Sequence, residues 1–184
     1  MCLLLGATGV GKTLLLKRLQ NILTRLASRN ELQLGQKGEP ADVGEPPATL
    51  PTVGTNLTDL TLRKKRVTVR ELGGCMGPIW PSYFRDCTSV IFMIDSANIT
   101  QISSSCIQLL GVLSATPLRS ASVLVLFNKS DLPCTMSLKE MKSLFRIDDI
   151  IASAPQSITV LELSARSGKG LQEVLHWLDS TQPD

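Results

Sequence analysis

A glycine-rich octet near the start of the chain has residue types that suit a phosphorylated ligand. It consists of Gly6, Ala7, Thr8, Gly9, Val10, Gly11, Lys12 and Thr13. Its glycines let the backbone wrap closely around an anion, so that several N–H groups can point at the same place. Lys12 can then reach the β- and γ-phosphates of a nucleotide, and the Thr13 hydroxyl can ligate Mg²⁺. The octet therefore predicts a site for a nucleoside phosphate.

The segments on either side of the octet supply the strand and the helix that a phosphate loop needs. The apolar run at residues 2–5 predicts a short buried strand, and residues 12–26 carry leucine and isoleucine at helical spacing. The N-terminus of that helix would add partial positive charge where the phosphates lie. A glycine-rich turn with a surface lysine is the alternative, and it does not require this strand–loop–helix order.

A second polar run, Asn128-Lys129-Ser130-Asp131, directly follows another apolar segment. The carboxylate of Asp131 can accept two hydrogen bonds from guanine, through the N1–H and the exocyclic amine, whereas adenine offers neither donor. A buried carboxylate left unpaired costs on the order of 1–3 kcal/mol, which is enough to select guanine. Lys129 can lay its aliphatic stem along the base, and Asn128 can tie this loop to the phosphate loop. Standing alone, the run would equally predict a polar turn.

The tripeptide Ser164-Ala165-Arg166 follows the last predicted strand. Ser164 and Ala165 would form a second clamp on guanine, in which a backbone N–H donates to the base carbonyl. Without the other motifs, the tripeptide is also typical of a turn that enters a helix.

Two further segments would respond to the γ-phosphate. In residues 51–54, the Thr52 hydroxyl can ligate Mg²⁺ from a loop that folds over the nucleotide. In residues 71–74, the carboxylate of Glu71 can reach the Mg²⁺ shell, and the Gly74 N–H can contact the γ-phosphate. These contacts exist only while the γ-phosphate is present, so its loss would release both loops.

The composition is that of an ordinary globular domain, with 43% apolar and 19% charged residues, and we expect one domain over all 184 residues. A net charge of +3 gives no reason to expect direct nucleic-acid binding. Five cysteines without a C-x-x-C pair predict reduced thiols in a cytoplasmic protein. Nothing resembles a signal peptide, a membrane span or an intrinsic membrane anchor. The single histidine, His176, excludes a multi-histidine metal site.

Hydrophobic periodicity predicts the remaining elements and their order. Strands are predicted at residues 56–62, 67–72, 89–94, 123–127 and 158–163. Helices are predicted at residues 99–113, 137–146 and 170–178, with Ser137 and Glu140 forming a capping box. This alternation predicts an α/β fold with a mostly parallel sheet, helices on both faces, and ligands at the carboxyl ends of the strands.

Two segments fall outside this alternation. Residues 28–50 contain glycines and prolines that break any periodicity, so we expect disorder over most of this insert, with order returning at Pro51. The basic run at residues 63–66 predicts a solvated hairpin tip that discourages edge pairing. Contact of this tip with acidic lipid or RNA is the alternative.

Together, these motifs resemble the ADP-ribosylation factor branch of the Ras-like small GTPases. The resemblance is missing only in the insert, and it rests on residues 6–13, Pro51-Thr52-x-Gly54-x-Asn56, Gly73-Gly74, Pro78-x-Trp80-x-x-Tyr83-Phe84, Asn128-Lys129-x-Asp131 and Ser164-Ala165. It implies a P-loop NTPase fold of the small-GTPase type, with a six-stranded sheet that has one antiparallel edge strand. It also implies binding of GTP or GDP with Mg²⁺. Switch loops near Thr52–Asn56 and Gly73–Tyr83 would engage effector proteins in the GTP form, and an exchange factor and an activator would be further partners.

The chain departs from the family at several of these functional positions. The family has aspartate where this chain has Glu71, whose longer side chain would reach Mg²⁺ through water. It has glutamine, which orients the attacking water, where this chain has Cys75. Because a thiol is shorter and hydrogen-bonds weakly, catalysis would depend on Lys12 with little help from Cys75, and intrinsic hydrolysis should be slow. A redox role for Cys75 is an alternative.

Two other departures concern partners and membranes. Of the family's aromatic triad that contacts effectors, only Tyr83 matches, and Thr55 and Arg70 occupy the other two positions, so shared effectors are not expected. Family members also carry an amphipathic amino-terminal helix and often a myristoylated glycine, whereas this chain has Cys2. We interpret Cys2 as a small buried side chain that begins a core strand, with acylation as the alternative.

Three functions remain open at this level. The first is a switch that hydrolyses GTP slowly and depends on a partner for faster turnover. The second is an interaction protein that binds GTP with essentially no hydrolysis. The third is a P-loop kinase or ATPase that uses ATP, and the guanine motifs at residues 128–131 and 164–165 count against it.

Overall fold

Six strands form a single sheet in the computed structural model, which describes residues 1–30, 34–63, 65–133 and 135–182. The strands lie in the order β2-β3-β1-β4-β5-β6, and β2 pairs antiparallel with β3 while all other pairs are parallel. Their bounds are β1 Cys2–Gly6, β2 Thr55–Leu62, β3 Lys65–Leu72, β4 Ser89–Asp95, β5 Ser122–Asn128 and β6 Ser157–Glu162. The predicted mostly parallel sheet with one antiparallel edge strand is therefore confirmed.

Five α-helices accompany the sheet within the described residues. They are α1 Lys12–Ser28, α2 Ile99–Ser114, α3 Leu138–Phe145, α4 Ile147–Ser153 and α5 Leu171–Thr181. The Ser137 hydroxyl accepts a hydrogen bond from the backbone N–H of Glu140 at 3.2 Å, which caps α3 as predicted. The Glu140 carboxylate accepts from the Ser137 hydroxyl at 3.0 Å, so the two side chains are also hydrogen-bonded to each other.

Side chains that alternate along β1 divide the core into two layers. Cys2 and Leu4 face the layer that α1 and α5 cover, whereas Leu3 and Leu5 face the layer beneath α2 and α3. Alternation with period two places successive side chains on opposite faces of a sheet. Because both faces are covered, β4 is buried at every position, and its sequence is apolar throughout its middle.

The structure contains elements that periodicity did not predict. Residues 74–83 form a 3-10 helix that includes Pro78 and Pro81, and a shorter one spans Thr116–Leu118. The helix predicted at 137–146 ends at Phe145, because Arg146 adopts a left-handed conformation with a φ of 52°. From Arg146 the chain starts α4 in a new direction, and this short helix has too few turns to produce a recognisable period.

Residues 34–50, called the strap below, contain no helix or strand but lie against α1 and α5. Ala41 and Val43 are buried, and the backbone carbonyls of residues 43–45 accept hydrogen bonds from the buried Arg18. Nearer the start of the strap, the backbone N–H of Gly38 donates to the Glu173 carboxylate. Residues 43–45 therefore supply acceptors that the buried Arg18 guanidinium requires, and disorder over most of the insert stays a prediction. Residues 31–33 of the insert lie outside the described residues.

Two of the arginines in the hairpin between β2 and β3 form ion pairs with aspartates. Leu62 is opposite Lys65, Arg66 pairs with Asp59, and Arg63 lies 3.5 Å from the carboxylate of Asp179. Lys64, the remaining member of the predicted basic tip, lies outside the described residues.

Four cysteines lie within the described part of the chain, and all four are free thiols. Cys2 is fully buried at the start of β1, and burial raises the pKa of its thiol to about 12. This placement agrees with its interpretation as a core residue. The fifth, Cys134, lies outside the described residues.

Candidate functional site

The phosphate loop lies between the end of β1 and the start of α1. Its tight path depends on glycine at two positions. Gly11 has a φ of 104°, and a Cβ there would lie 2.5 Å from Nδ2 of Asn128. Gly6 has a φ of 149°, and a Cβ there would lie 2.5 Å from the carbonyl oxygen of Met93. A side chain at either position would push the loop away from the neighbouring strand ends.

Lys12 reaches back across this loop. Its Nζ donates to the carbonyl oxygens of Gly6 and Ala7, each at 2.8 Å. Burial lowers the pKa of its ammonium group to about 8, while Glu71 and Cys75 act in the opposite direction. A buried cation of this kind gains stability from a nearby anion, so phosphate oxygens fit the electrostatics of the loop.

The three residues predicted to hold Mg²⁺ meet at one point. The hydroxyls of Thr13 and Thr52 lie 3.0 Å apart, and they donate to Oε1 of Glu71 at 2.5 and 3.1 Å respectively. The Glu71 side chain is buried and contacts these hydroxyls directly. Hydroxyl and carboxylate oxygens are the hard ligands that Mg²⁺ prefers, so the residues present fit this ion.

A cavity of about 180 Å³ lies beside these groups. The phosphate loop lines one side, and residues 49–52, Glu71 and Gly74 line the other. The cavity therefore corresponds to the phosphate and metal part of the predicted site.

Gly73 and Gly74 connect the two predicted switch segments to the phosphate loop. The Gly73 N–H donates to the Gly54 carbonyl at 2.9 Å, and Nε1 of the buried Trp80 donates to the Gly73 carbonyl at 3.2 Å. A Cβ on Gly74 would lie 2.2 Å from the backbone nitrogen of Thr8. Only glycine permits this approach, and the exposed Cys75 follows it directly.

The residues predicted to bind guanine are also brought together. Asn128 joins both loops, since its Nδ2 donates to the Val10 carbonyl at 2.8 Å and its Oδ1 accepts from the Ala165 N–H at 3.1 Å. The Ser164 hydroxyl donates to Oδ1 of Asp131 at 2.7 Å. The Ala165 N–H is thus engaged with Asn128, and its predicted donation to the base would have to share or replace this bond.

The sequence did not predict the partner of Lys129. Its Nζ lies 2.6 Å from Oδ2 of Asp95, which is buried at the end of β4, and its backbone is left-handed with a φ of 67°. Oδ1 of Asp95 accepts from the Ala97 N–H at 2.8 Å. The ion pair holds the Lys129 side chain over the ends of two neighbouring strands, where its stem could flank a base.

Arg18 was also missed, although the sequence carries a signal for it. It lies at the buried positions of α1 together with Leu15, Leu19 and Ile22, where a charged residue is unusual. Its side chain is fully buried, and Nε donates to the Ala165 carbonyl at 3.0 Å. It therefore contacts the loop that was predicted to clamp guanine.

The family model for the ADP-ribosylation factor family matches residues 41–182. The chain belongs to the ADP-ribosylation factor family. ADP-ribosylation factor-like protein 16 from Homo sapiens is 60% identical over 181 residues, which cover 98% of this chain and 85% of the human protein. ADP-ribosylation factor-like protein 1 from Drosophila melanogaster is 29% identical, with 97% of this chain and 87% of that protein covered. The resemblance inferred from the motifs is thereby confirmed.

A solved structure supports the fold independently of close sequence similarity. The Arl6 BBS3 small GTPase from Trypanosoma brucei, with bound nucleotide analogue GppNp, superposes with a TM-score of 0.77. The match covers 98% of this chain and 95% of that chain at 18% identity. The chain thus has the Ras-like fold of the ADP-ribosylation factor family, whose members are in general GTP-binding switches. None of the helices in the described part of the chain is long and apolar enough to cross a membrane.

Thr55, Arg70 and Tyr83, the three residues at the predicted effector positions, form one cluster. Nη1 of Arg70 donates to the Thr55 hydroxyl at 3.0 Å, and the Arg70 guanidinium lies 5.2 Å from the centroid of the Tyr83 ring. Nε of Arg70 is shielded from solvent and has no hydrogen-bond partner among the described residues. Arg70 therefore contacts both Thr55 and the Tyr83 ring, so the three residues predicted at the effector positions lie together.

Proposed function

We propose that the chain is a guanine-nucleotide switch that binds GTP or GDP with Mg²⁺ and engages effector proteins in its GTP form. The observation that carries this proposal is the meeting of Thr13, Thr52 and Glu71 beside the phosphate loop. These residues belong to three separate segments of the chain. A nucleotide with Mg²⁺ and a γ-phosphate would hold the segments together, and loss of the γ-phosphate would release them.

Each group near the cavity has a distinct task in this proposal. Lys12 would leave its two carbonyl partners and neutralise charge on the β- and γ-phosphates. The Gly74 N–H would donate to the γ-phosphate, and the Thr13 and Thr52 hydroxyls would hold the metal, with Glu71 close to it. Mg²⁺, when bound, neutralises charge that develops on the phosphate oxygens during transfer.

We further propose that unaided hydrolysis is weak. Phosphoryl transfer in such sites depends on positioning and electrostatics, and the water-orienting position holds the exposed thiol of Cys75. A thiol is a weaker donor and acceptor than an amide, so it would orient water poorly. The same observation favours the second candidate, a GTP-binding interaction protein with essentially no hydrolysis. The two candidates differ in their response to an activator that supplies its own water-positioning group. Such an activator would accelerate GTP hydrolysis by a slow switch, whereas a permanent GTP-binding protein would stay inactive.

Single-turnover hydrolysis of preloaded GTP with Mg²⁺ tests this proposal. We expect the native chain to hydrolyse slowly and the Cys75→Gln variant to hydrolyse faster, because the amide restores two hydrogen-bonding groups. Cys75→Ser is the matched control, since it removes the thiol without adding an amide, and it should remain slow. Equal rates in the native chain and the Gln variant would show that another group orients the water.

Competition between nucleotides tests the guanine preference. Asp131 next to Ser164 supports selection of GTP over ATP, because its carboxylate can accept from two guanine donors. We expect excess GDP, but not excess ADP, to displace a labelled guanine nucleotide. Equal displacement by ADP would revive the kinase or ATPase alternative.

The cluster of Thr55, Arg70 and Tyr83 supports an effector that differs from those of other family members. We propose that its effector presents a carboxylate to the partly exposed Arg70, next to the exposed apolar side chain of Leu57, its partner on the neighbouring strand. For a candidate effector, Arg70→Glu should abolish binding without changing nucleotide affinity. Arg66→Glu, on the same strand but paired with Asp59, should retain binding.

A cytoplasmic location is proposed from the free cysteines alone.

A further inference from the structure

Arg18 is a fully buried cation whose hydrogen bonds all go to backbone carbonyls. Nε donates to Ala165 at 3.0 Å, and Nη2 donates to Arg166 at 2.8 Å. Nη1 donates to Val43 and to Glu45, the latter at 3.2 Å, and Nη2 also donates to Gly44 at 3.3 Å. A guanidinium has five N–H donors in a fixed plane, so these five hydrogen bonds equal the number of its donors.

The five carbonyls belong to two segments that are far apart in sequence. Three belong to the strap at residues 43–45, and two belong to residues 165–166 in the loop proposed to clamp guanine. The buried Arg18 charge would be strongly destabilising without these acceptors. If either the strap or residues 165–166 moved away, Arg18 would lose acceptors, and its contacts with the other segment would change as well.

A second contact joins the strap to the same loop. The Ala41 N–H donates to the Gly168 carbonyl at 3.1 Å. Gly168 has a φ of 94°, and a Cβ there would lie 2.2 Å from the Ala41 carbonyl oxygen. The turn that follows Ser164 and Ala165 is therefore shaped to receive the strap.

The other end of the strap reaches the phosphate part of the site. Lys17, adjacent to Arg18 on α1, donates from Nζ to the Ala48 carbonyl at 3.2 Å. Thr49 and Leu50 then line the cavity beside Thr52 and the phosphate loop. One continuous segment thus contacts both the guanine loop and the phosphate cavity.

We propose that Arg18 is a positioning residue that couples the strap to the guanine loop, so that a seated strap slows the release of bound nucleotide. This inference rests on the proposed function, because it concerns the same nucleotide site. A nucleotide that stabilises residues 165–166 preserves two acceptors of Arg18 and thereby favours the seated strap. By reciprocity, a displaced strap weakens the guanine loop and promotes exchange.

The experiment measures the release of fluorescent GDP from the 184-residue chain into excess unlabelled GDP. Arg18→Met keeps the length of the side chain but removes every donor, and we expect release to be about tenfold faster or more. Arg29→Met is the matched control, since Arg29 is exposed directly after α1 and its side chain makes no hydrogen bond to the strap within the described residues. Its release rate should be native.

A second variant approaches the coupling from the strap. Val43→Asp places a charge at a buried strap position and leaves Arg18 unchanged, and it should also accelerate release. Asp42→Asn, at the neighbouring exposed position, is its control and should behave as native. Should both test variants fail to fold, hydrogen exchange on the native chain decides, because GDP should then protect residues 41–45 as well as residues 164–168.

The outcomes separate this inference from the proposed function. A native chain that binds no guanine nucleotide overturns both. A native chain that binds GDP, with Arg18→Met and Val43→Asp releasing it at the native rate, overturns only the coupling. Protection of residues 164–168 by GDP without protection of residues 41–45 overturns it as well.

Discussion

Asp131 accepts a hydrogen bond from the hydroxyl of Ser164, with 2.7 Å between the two oxygens, although 33 residues separate them in sequence. The bond joins the loops that follow β5 and β6 and uses only one of the two carboxylate oxygens. The serine also accepts from the Ser167 N–H at 3.0 Å, which fixes its hydroxyl. A carboxylate oriented in this way is prepared to accept from the edge of a base.

Replacement of Asp131 should change the choice of base. In Asp131→Asn, an amide N–H₂ takes the place of one acceptor, so affinity for GTP should fall by about tenfold to a hundredfold. Xanthosine triphosphate, which has a carbonyl in place of the guanine amine, should bind better than to the native chain. Ser164→Ala is the control, since it removes the bond to Asp131 but should not favour xanthosine. Unchanged GTP affinity in Asp131→Asn would contradict the guanine assignment.

Replacement of Thr13 should uncouple nucleotide affinity from Mg²⁺. Its hydroxyl contacts both Thr52 and Glu71, and Thr13→Asn substitutes a larger amide at the proposed metal position. Chelation of Mg²⁺ by EDTA should weaken GTP binding to the native chain far more than to the variant. The variant should also fail to capture an effector that the GTP-loaded native chain binds. An equal effect of EDTA on both proteins would exclude the metal role of Thr13.

Nucleotide affinity should depend on pH through Lys12. Its pKa is lowered to about 8 by burial, and bound phosphates would raise it again. Binding should therefore be accompanied by proton uptake above pH 8, and affinity for GDP should be about tenfold lower at pH 9 than at its low-pH limit. Titration calorimetry in buffers of different ionisation enthalpy measures both effects. Lys12→Arg, which stays charged, is the control and should lose this pH dependence.

The same shift has the opposite sign for folding of the nucleotide-free chain. Between pH 8 and 10.5, the ordinary pKa of a lysine, the unfolded chain holds the Lys12 proton while the folded chain has released it. The contribution of this group to the free energy of unfolding should therefore increase with pH across that window. Denaturant titrations of the native chain and of Lys12→Met at several pH values measure this difference.

A methyl group at Gly74 should selectively impair the GTP form. A Cβ there would lie 2.2 Å from the backbone nitrogen of Thr8 and 2.5 Å from the carbonyl carbon of Ala7, so the segment would have to move away from the phosphate loop. We expect Gly74→Ala to lower affinity for GTP while affinity for GDP stays near native. Gly77→Ala, in the same 3-10 helix, is the control, because its nearest contact is the flexible end of Gln108 at 3.1 Å. A native ratio of GTP to GDP affinity in Gly74→Ala would disprove the role of Gly74.

Much of the fold was predictable because it follows from local patterns. Each of the predicted strands has a counterpart, with bounds that agree closely, since alternating or continuous apolar residues are typical of half-buried or buried strands. The α4 helix was not predictable, because the left-handed turn at Arg146 interrupts the period of α3. The contacts of the strap at residues 43–45 were also not predictable, because they depend on the carbonyl acceptors that the distant Arg18 requires.

The sequence by itself determined the composition of the candidate site and the family. Residues 6–13 and residues 128–131 are contiguous motifs, and contiguous residues stay together in any fold that preserves their local backbone. Only the tertiary structure decided which distant groups meet: Thr13 with Thr52 and Glu71, Lys129 with Asp95, and Arg18 with carbonyls of two separate loops. The physical reason is that a buried charge or hydroxyl requires a partner, but nothing in its own sequence neighbourhood specifies which distant atom supplies it.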